Sequence, residues 1–224
     1  MNAPIHAFVF DAYGTLFDPL SLRKRADELF PGRGAELCQL WRAKQLEYSW
    51  LRTLMQRYRD FWQITKDALA FACKALQLSC TEQQRDDLLD GYLRLETFPD
   101  VAGALRRLSA HRLAILSNGS PQMLRAVVES NGLASLFQFI LSVDALQLFK
   151  PHPAVYQLAV DQLRLPKESI AFISSNYWDI AGAASFGFQT FWLNRSQLPA
   201  DELGVTPTQI LQALTDLQPS REAP

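Results

Sequence analysis

Four short stretches of this chain place reactive side chains where an apolar run stops. Asp11 follows Phe8, Val9 and Phe10 and opens a tight segment containing Gly14 and Thr15. Ser117 and Asn118 follow the run 113–116, and Lys150 comes after the run 139–142, just before Pro151. Ser174, Ser175, Asn176 and Asp179 follow the run 170–173. Taken singly, each has an ordinary explanation, because Ser, Asn and Asp are common caps and turn formers. An acid in a first helical turn is likewise favoured by the helix dipole. Taken together they are a complementary set: two carboxylates, a lysine and several neutral donors. If the apolar runs are strands of one parallel sheet, their ends meet at one edge, where open α/β sheets bind ligands. Charged groups gathered at such an edge point to an active site.

The chemistry this set supports is nucleophilic catalysis by a carboxylate. Asp11 must be ionised and held still. Thr15, Lys150 and the amides near Gly14 would hold it, with Lys150 supplying the counter-charge. Ser174 and Asn176 would orient those partners. Asp179, three residues past Asn176, is placed to orient or deprotonate a water.

The elements that must position these groups follow from composition and periodicity. The chain has 224 residues, 48% of them hydrophobic, which allows a sizeable core. With 22 basic and 23 acidic residues and a net charge of -1, it offers no basic patch for nucleic acid. No apolar run approaches the roughly 20 residues that span a bilayer, and no signal peptide is evident. The three cysteines lack metal-type spacing, which suits reduced thiols in the cytoplasm. Residues 35–58 contain neither Gly nor Pro, and Leu37, Trp41, Tyr48, Leu51 and Met55 recur at near-heptad spacing, predicting one long helix. Further helices are expected over 61–76 and 81–95, the latter capped by Thr81 with Gln84. Beyond Pro99, strand and helix patterns alternate, with 190–193 the last strand. The expected fold class is α/β: a Rossmann-like parallel sheet core of five or more strands with an inserted α-helical cap. The core would comprise residues 1–17 and 98–218, the cap 18–97, and a flexible tail 219–224.

These motifs resemble the haloacid dehalogenase superfamily of aspartate-nucleophile enzymes. Most members carry a second Asp two residues after the nucleophile, as general acid, and an acidic fourth motif that holds Mg²⁺. This chain has Tyr13 at the first place and Ser174-Ser175-Asn176 at the second. A phosphoryl group gathers negative charge that a metal usually stabilises. Losing those carboxylates weakens the case for phosphate and metal alike. A halide leaves as a stable anion and needs no protonation. The resemblance narrows to the (S)-2-haloacid dehalogenases through Asp-Ala-Tyr-Gly-Thr-Leu-Phe-Asp at 11–18, Trp-Arg-Ala-Lys-Gln-Leu-Glu-Tyr-Ser-Trp at 41–50, Leu-Ser-Asn-Gly-Ser-Pro at 116–121, Lys-Pro at 150–151 and Ser-Ser-Asn-Tyr-Trp-Asp at 174–179. One departure is Ala43, where many relatives have Gln.

That resemblance implies a reaction and a role for each matched residue. Asp11 would attack C2 of a 2-haloalkanoic acid with inversion, and water would hydrolyse the resulting ester to the (R)-2-hydroxy acid. Arg42 and Asn118 would cradle the halide. Ser117 and the amides of Ala12 and Tyr13 would hold the substrate carboxylate. Thr15, Lys150, Tyr156, Ser174, Asn176 and Asp179 would position Asp11 and the water. Tyr13, Leu46, Phe61 and Trp178 would wall the substrate side chain, Leu46 sharing a helix face with Arg42 at i+4. No cofactor or metal is expected, and the family implies a homodimer. Competing expectations are a Mg²⁺-dependent phosphatase of the same superfamily, against which Tyr13 argues, and a non-catalytic binding module. The second would be expected to have lost Asp11, Lys150 and Asp179.

Overall fold

In the computed structural model, which describes residues 3–218, six strands form one parallel sheet. They are β1 (Ala7–Phe10), β2 (Arg112–Ser117), β3 (Phe139–Ser142), β4 (Ile170–Ser174), β5 (Gln189–Leu193) and β6 (Gln209–Leu211), in the order β3-β2-β1-β4-β5-β6. The proposed tail, 219–224, lies outside the described residues. The first strand is central and wholly buried. Its unbroken apolar run is what a strand covered on both faces requires. Phe10 pairs with Ile115 on one side and Ile173 on the other. That register carries Asp11, Ser117 and Ser174 to a common edge. The Asp11 amide extends the ladder by donating to Ile173 O at 2.9 Å.

After β1 the chain forms four helices before it returns to the sheet region: α1 (Arg23–Leu29), α2 (Gly34–Leu54), α3 (Phe61–Ala75) and α4 (Glu82–Tyr92). Thr81 and Gln84 form the expected capping box on α4. The long helix stops at Leu54 rather than running to 58. Gln56 takes a left-handed φ of 56°, and Arg57 N closes back on Arg52 O at 2.9 Å. Asp60 then caps α3 by accepting from Gln63 N at 3.0 Å. The two connectors of this helical insert run side by side: Asp18 N donates to Glu96 O at 2.8 Å and Phe98 N to Leu16 O at 3.1 Å. The insert also touches the core through Tyr58 Oη, which donates to Asp144 at 2.6 Å.

Four more helices accompany the sheet: α5 (Val101–Arg107), α6 (Pro121–Ser130), α7 (Pro153–Leu163) and α8 (Tyr177–Phe186). Two structural findings go beyond the sequence expectations: β6 follows the strand expected to be last, and α5 fills the step from Pro99 to β2. Pro occupies the first turn of both α6 and α7, where its missing N–H costs nothing.

The packing between α7 and α8 allows no spare atom at Gly182. A Cβ there would sit 2.5 Å from both Pro151 Cβ and Tyr156 Oη. Gly182→Ala should therefore destabilise the fold by about 1–3 kcal/mol, as overpacked cores do. A shift of the urea midpoint to lower concentration would register this; an unchanged midpoint would mean the contact relaxes freely.

Candidate active site

The edge where β1, β2 and β4 end holds an enclosed cluster of charge. Lys150 is 1% exposed, and its ammonium donates to Asp11 Oδ1 at 3.1 Å and to Asp179 Oδ2 at 2.8 Å. Asp11 Oδ2 accepts from Thr15 Oγ1 at 3.0 Å and Asn176 Nδ2 at 2.9 Å, with Ser174 Oγ at 3.5 Å. Each partner is itself fixed. Thr15 Oγ1 accepts from Ser175 N at 2.9 Å, and Ser174 Oγ from Asn176 N at 3.1 Å. Tyr156 Oη donates to Asp179 Oδ1 at 2.8 Å, so it reaches Asp11 only through Asp179 and Lys150.

The local backbone explains why these groups converge. Ala12 O accepts from the amides of Thr15, Leu16 and Phe17, and Gly14 N donates to Phe17 O at 2.7 Å. Gly14 adopts a φ of 92°, which side-chain-bearing residues rarely take. The bonds closing this turn use neither the Ala12 amide nor the Tyr13 amide. Asp179 sits in the first turn of α8, where the helix dipole favours its charge.

Burial is the largest influence on Asp179. Together with the negative charge of Asp11, it pushes the Asp179 carboxyl up to about 6 despite Lys150. Burial pulls the Lys150 ammonium down, but the two carboxylates outweigh it and hold its pKa above the ordinary lysine value. Tyr13 is held well above the usual tyrosine range, chiefly by burial.

In front of Asp11 lies a cavity of about 10 Å³, lined by Asp11, Tyr13, Arg42, Leu46, Phe61, Ser117, Asn118, Asn176 and Trp178. It has room for about one water. Every lining residue belongs to the set expected from sequence. The remaining expected residues, Ala12, Thr15, Lys150, Tyr156, Ser174 and Asp179, do not line it. Asn118 accepts from Lys150 N through Oδ1 at 3.0 Å, which leaves its Nδ2 donor free of that bond. Ser117 Oγ accepts from Gly119 N at 3.1 Å. A larger vestibule of about 580 Å³ shares Arg42, Leu46, Asn176 and Trp178 with the cavity. A ligand larger than water must pass between those shared side chains.

Sequence reasoning missed Gln45, Thr65 and Tyr92, which are buried behind Arg42. A signal was present: Leu37, Trp41, Gln45 and Ser49 form an i+4 row of buried positions on α2. A polar group in such a row must find partners.

Metal coordination does not suit this donor set. Among the described residues, no group of three His, Cys, Asp or Glu could hold a metal ion.

Comparison with known proteins adds an independent line. The family profile described as haloacid dehalogenase-like hydrolase matches residues 5–187. The (S)-2-haloacid dehalogenase of Pseudomonas sp. strain YL is 51% identical over 205 residues, covering 91% of this chain and 88% of that protein. The (S)-2-haloacid dehalogenase of Pseudomonas putida is 43% identical, covering 95% of both. Among solved structures, the L-2-haloacid dehalogenase RSc1362 matches with a TM-score of 0.93 and 44% identity, covering 96% of this chain and 97% of that one. The Xanthobacter autotrophicus L-2-haloacid dehalogenase with chloropropionic acid covalently bound matches with a TM-score of 0.90 and 40% identity, covering 95% and 96%.

The raised Asp179 carboxyl has a consequence for stability. Folded, it keeps its proton to about pH 6; its ordinary value is 3.8. Between those values the folded state binds more protons, so this group's contribution to stability falls as pH rises through the window. Wild type should therefore lose up to about 3 kcal/mol relative to Asp179→Asn between pH 4 and pH 7. Urea midpoints of both proteins across that range measure the difference; a gap that stays constant would contradict the assignment.

Proposed function

The chain belongs to the (S)-2-haloacid dehalogenases, within the haloacid dehalogenase-like hydrolases, and from that premise we propose that it hydrolyses (S)-2-haloalkanoic acids to (R)-2-hydroxy acids and halide. The observation that carries the reading is Asp11 itself: a carboxylate pinned by Lys150, Thr15 and Asn176 and facing a small cavity with Arg42 and Asn118 on its wall.

The reaction divides into two displacements. A carboxylate oxygen of Asp11 attacks C2 from the side opposite the halogen. The C–O bond forms as the C–X bond breaks, the electron pair leaves with the halide, and C2 inverts. Arg42 and Asn118 Nδ2 receive the developing negative charge, a task that suits a guanidinium. Ser117 and the amides of Ala12 and Tyr13 hold the substrate carboxylate. Water then adds to the carboxyl carbon of the Asp11 ester, and the hydroxy acid departs. Asp179, raised to about 6, is the group suited to take the water's proton. Lys150 and Tyr156 hold it beside Asp11. Tyr13, Leu46, Phe61 and Trp178 keep the site apolar, which strengthens each charge interaction within it.

The phosphatase alternative requires a proton donor where Tyr13 stands and an acidic metal-holding motif where Ser174, Ser175 and Asn176 stand. The reading adopted needs neither, so it runs without a metal. Residues 18–97 serve as the cap that supplies Arg42, Leu46 and Phe61, with residues up to 17 and from 98 as the core. The unpaired cysteines fit a cytoplasmic setting. Leu51, Leu54 and Met55 are exposed at the end of α2, Leu54 to 80%. Beside them lies a groove of about 820 Å³ lined by Trp50, Leu54, Phe149, Trp178, Phe186 and Leu203. An apolar face of this kind suits a homodimer.

Halide release from (S)-2-chloropropionate should proceed undiminished in EDTA and vanish in Asp11→Asn. Inhibition by EDTA would defeat the metal-free reading, and full activity in the asparagine variant would remove Asp11 as nucleophile. In H₂¹⁸O, peptide mass spectrometry should find solvent oxygen in Asp11, because ester hydrolysis leaves one such oxygen there. Leu54→Glu should shift the sedimenting species from dimer to monomer; a wild-type monomer would overturn the dimer.

A further inference from the structure

We propose that Gln45 is a positioning residue which aims Arg42 at the departing halide through a one-way chain of hydrogen bonds anchored on α3. The inference rests on the dehalogenation reading above.

The direction of every bond in the chain is forced. It starts at Phe61 O, a carbonyl that can only accept. Thr65 Oγ1 lies 2.7 Å from it and spends its single hydrogen there. Thr65 Oγ1 must therefore accept from its other neighbour, Gln45 Nε2, at 2.7 Å. This decides which end of the buried Gln45 amide faces which way. Its Oε1 then accepts from Arg42 Nη1 at 2.9 Å and from Tyr92 Oη at 2.9 Å, using both lone pairs. Arg42 Nη2 takes a second fixed acceptor, Tyr13 O, at 3.1 Å. Trp41 Nε1, donating to Thr65 O at 2.8 Å, holds α2 against α3.

Two consequences follow from the chemistry of these partners. Both acceptors that grip Arg42 are neutral, so they orient the guanidinium without cancelling its charge. A carboxylate in place of Gln45 would grip harder but would compete with an incoming anion. The chain also begins on Phe61, whose ring lines the cavity. The apolar wall and the cationic end of the halide site are thereby held by one set of bonds.

The test separates aiming from bracing. Gln45→Glu keeps size and both acceptor roles but neutralises Arg42; Thr65→Val removes only the anchor and touches no substrate. Chloride binding, read by ³⁵Cl NMR line broadening, reports the site without turnover. Gln45→Glu should weaken chloride about tenfold, and its kcat should fall about tenfold more on 2-chloropropionate than on 2-iodopropionate, because iodide needs less help to leave. Thr65→Val should move both readings the same way by less, and carries the test if Gln45→Glu fails to fold. Chloride affinity within roughly twofold of wild type in the folded variants, with equal losses on both substrates, would overturn the aiming role. A wild-type chain that binds chloride but releases no halide would instead defeat the reaction reading, leaving the binding comparison to judge Gln45.

Discussion

One buried ammonium holds this site together. Lys150 lies between two carboxylates at 2.8 and 3.1 Å, on a loop that the sheet brings against the ends of β1 and β4. Removing ions from water costs several kcal/mol each unless partners and hydrogen bonds replace the solvent. Here the replacements are Thr15, Asn176 and Tyr156. The cluster carries one positive and two negative charges, so it keeps an excess negative charge. That excess has two effects. It pushes Asp179 up towards neutrality, and it leaves two carboxylates sharing one cation. The second effect creates a problem for an anionic substrate, and the solution comes from the other side of the cavity, where Arg42 is presented by the helical insert.

The insert is thus more than a cover. Arg42 and Leu46 lie at i+4 on α2 and both line the cavity, so one helix supplies both a positive charge and part of the apolar wall. Arg42 reaches across to Tyr13 O, tying the insert to the loop that carries Asp11. The cavity this makes is too small for a haloacid, and the side chains it shares with the vestibule belong to both halves of the site: Arg42 and Leu46 to the insert, Asn176 and Trp178 to the core. Substrate entry therefore requires the two halves to part or their side chains to swing. The paired connectors at Asp18 and Phe98 are where such a movement would be borne.

Much of this was legible in the sequence, for physical reasons. Strands buried on both faces leave continuous apolar runs, and β1, β2 and β4 did so; their polar successors then mark the sheet edge. Edge strand β6 left no such trace, since Gln209 and Ile210 are exposed and only Leu211 is buried. The end of α2 was hidden because Gln56, not a glycine, takes the left-handed turn. At the site, the residue types were readable but their wiring was not. Tyr156 was expected to help position Asp11 and the water, and its hydroxyl engages Asp179 rather than Asp11. Arg42 and Phe61 sit far from the strand ends, and only the family resemblance singled them out. Gln45 escaped because its partners, Thr65 and Tyr92, come from two other helices.

On the proposed reading Tyr13 separates attack on carbon from attack on phosphorus, and the surrounding structure packs closely around it. Its ring packs among Phe17, Phe61 and Tyr92, with centroids 6.5, 6.2 and 5.5 Å away. On the far side stands Gly119, where a Cβ would lie 2.8 Å from Tyr13 Cε2. The glycine after Asn118 is thus a steric condition for an aromatic residue after Ala12. An acid at position 13 would have to be buried among three rings, at a cost that favours its neutral form. The hydroxyl of Tyr13 has no hydrogen-bond partner, and burial keeps it protonated. It therefore adds no negative charge beside Asp11. A phosphoryl leaving group needs a proton from this position, whereas a halide leaving from carbon needs a dry wall. On the proposed reading, the packing around Tyr13 supplies the wall and disfavours an acid, so the core separates carbon from phosphorus chemistry as much as the reacting residues do.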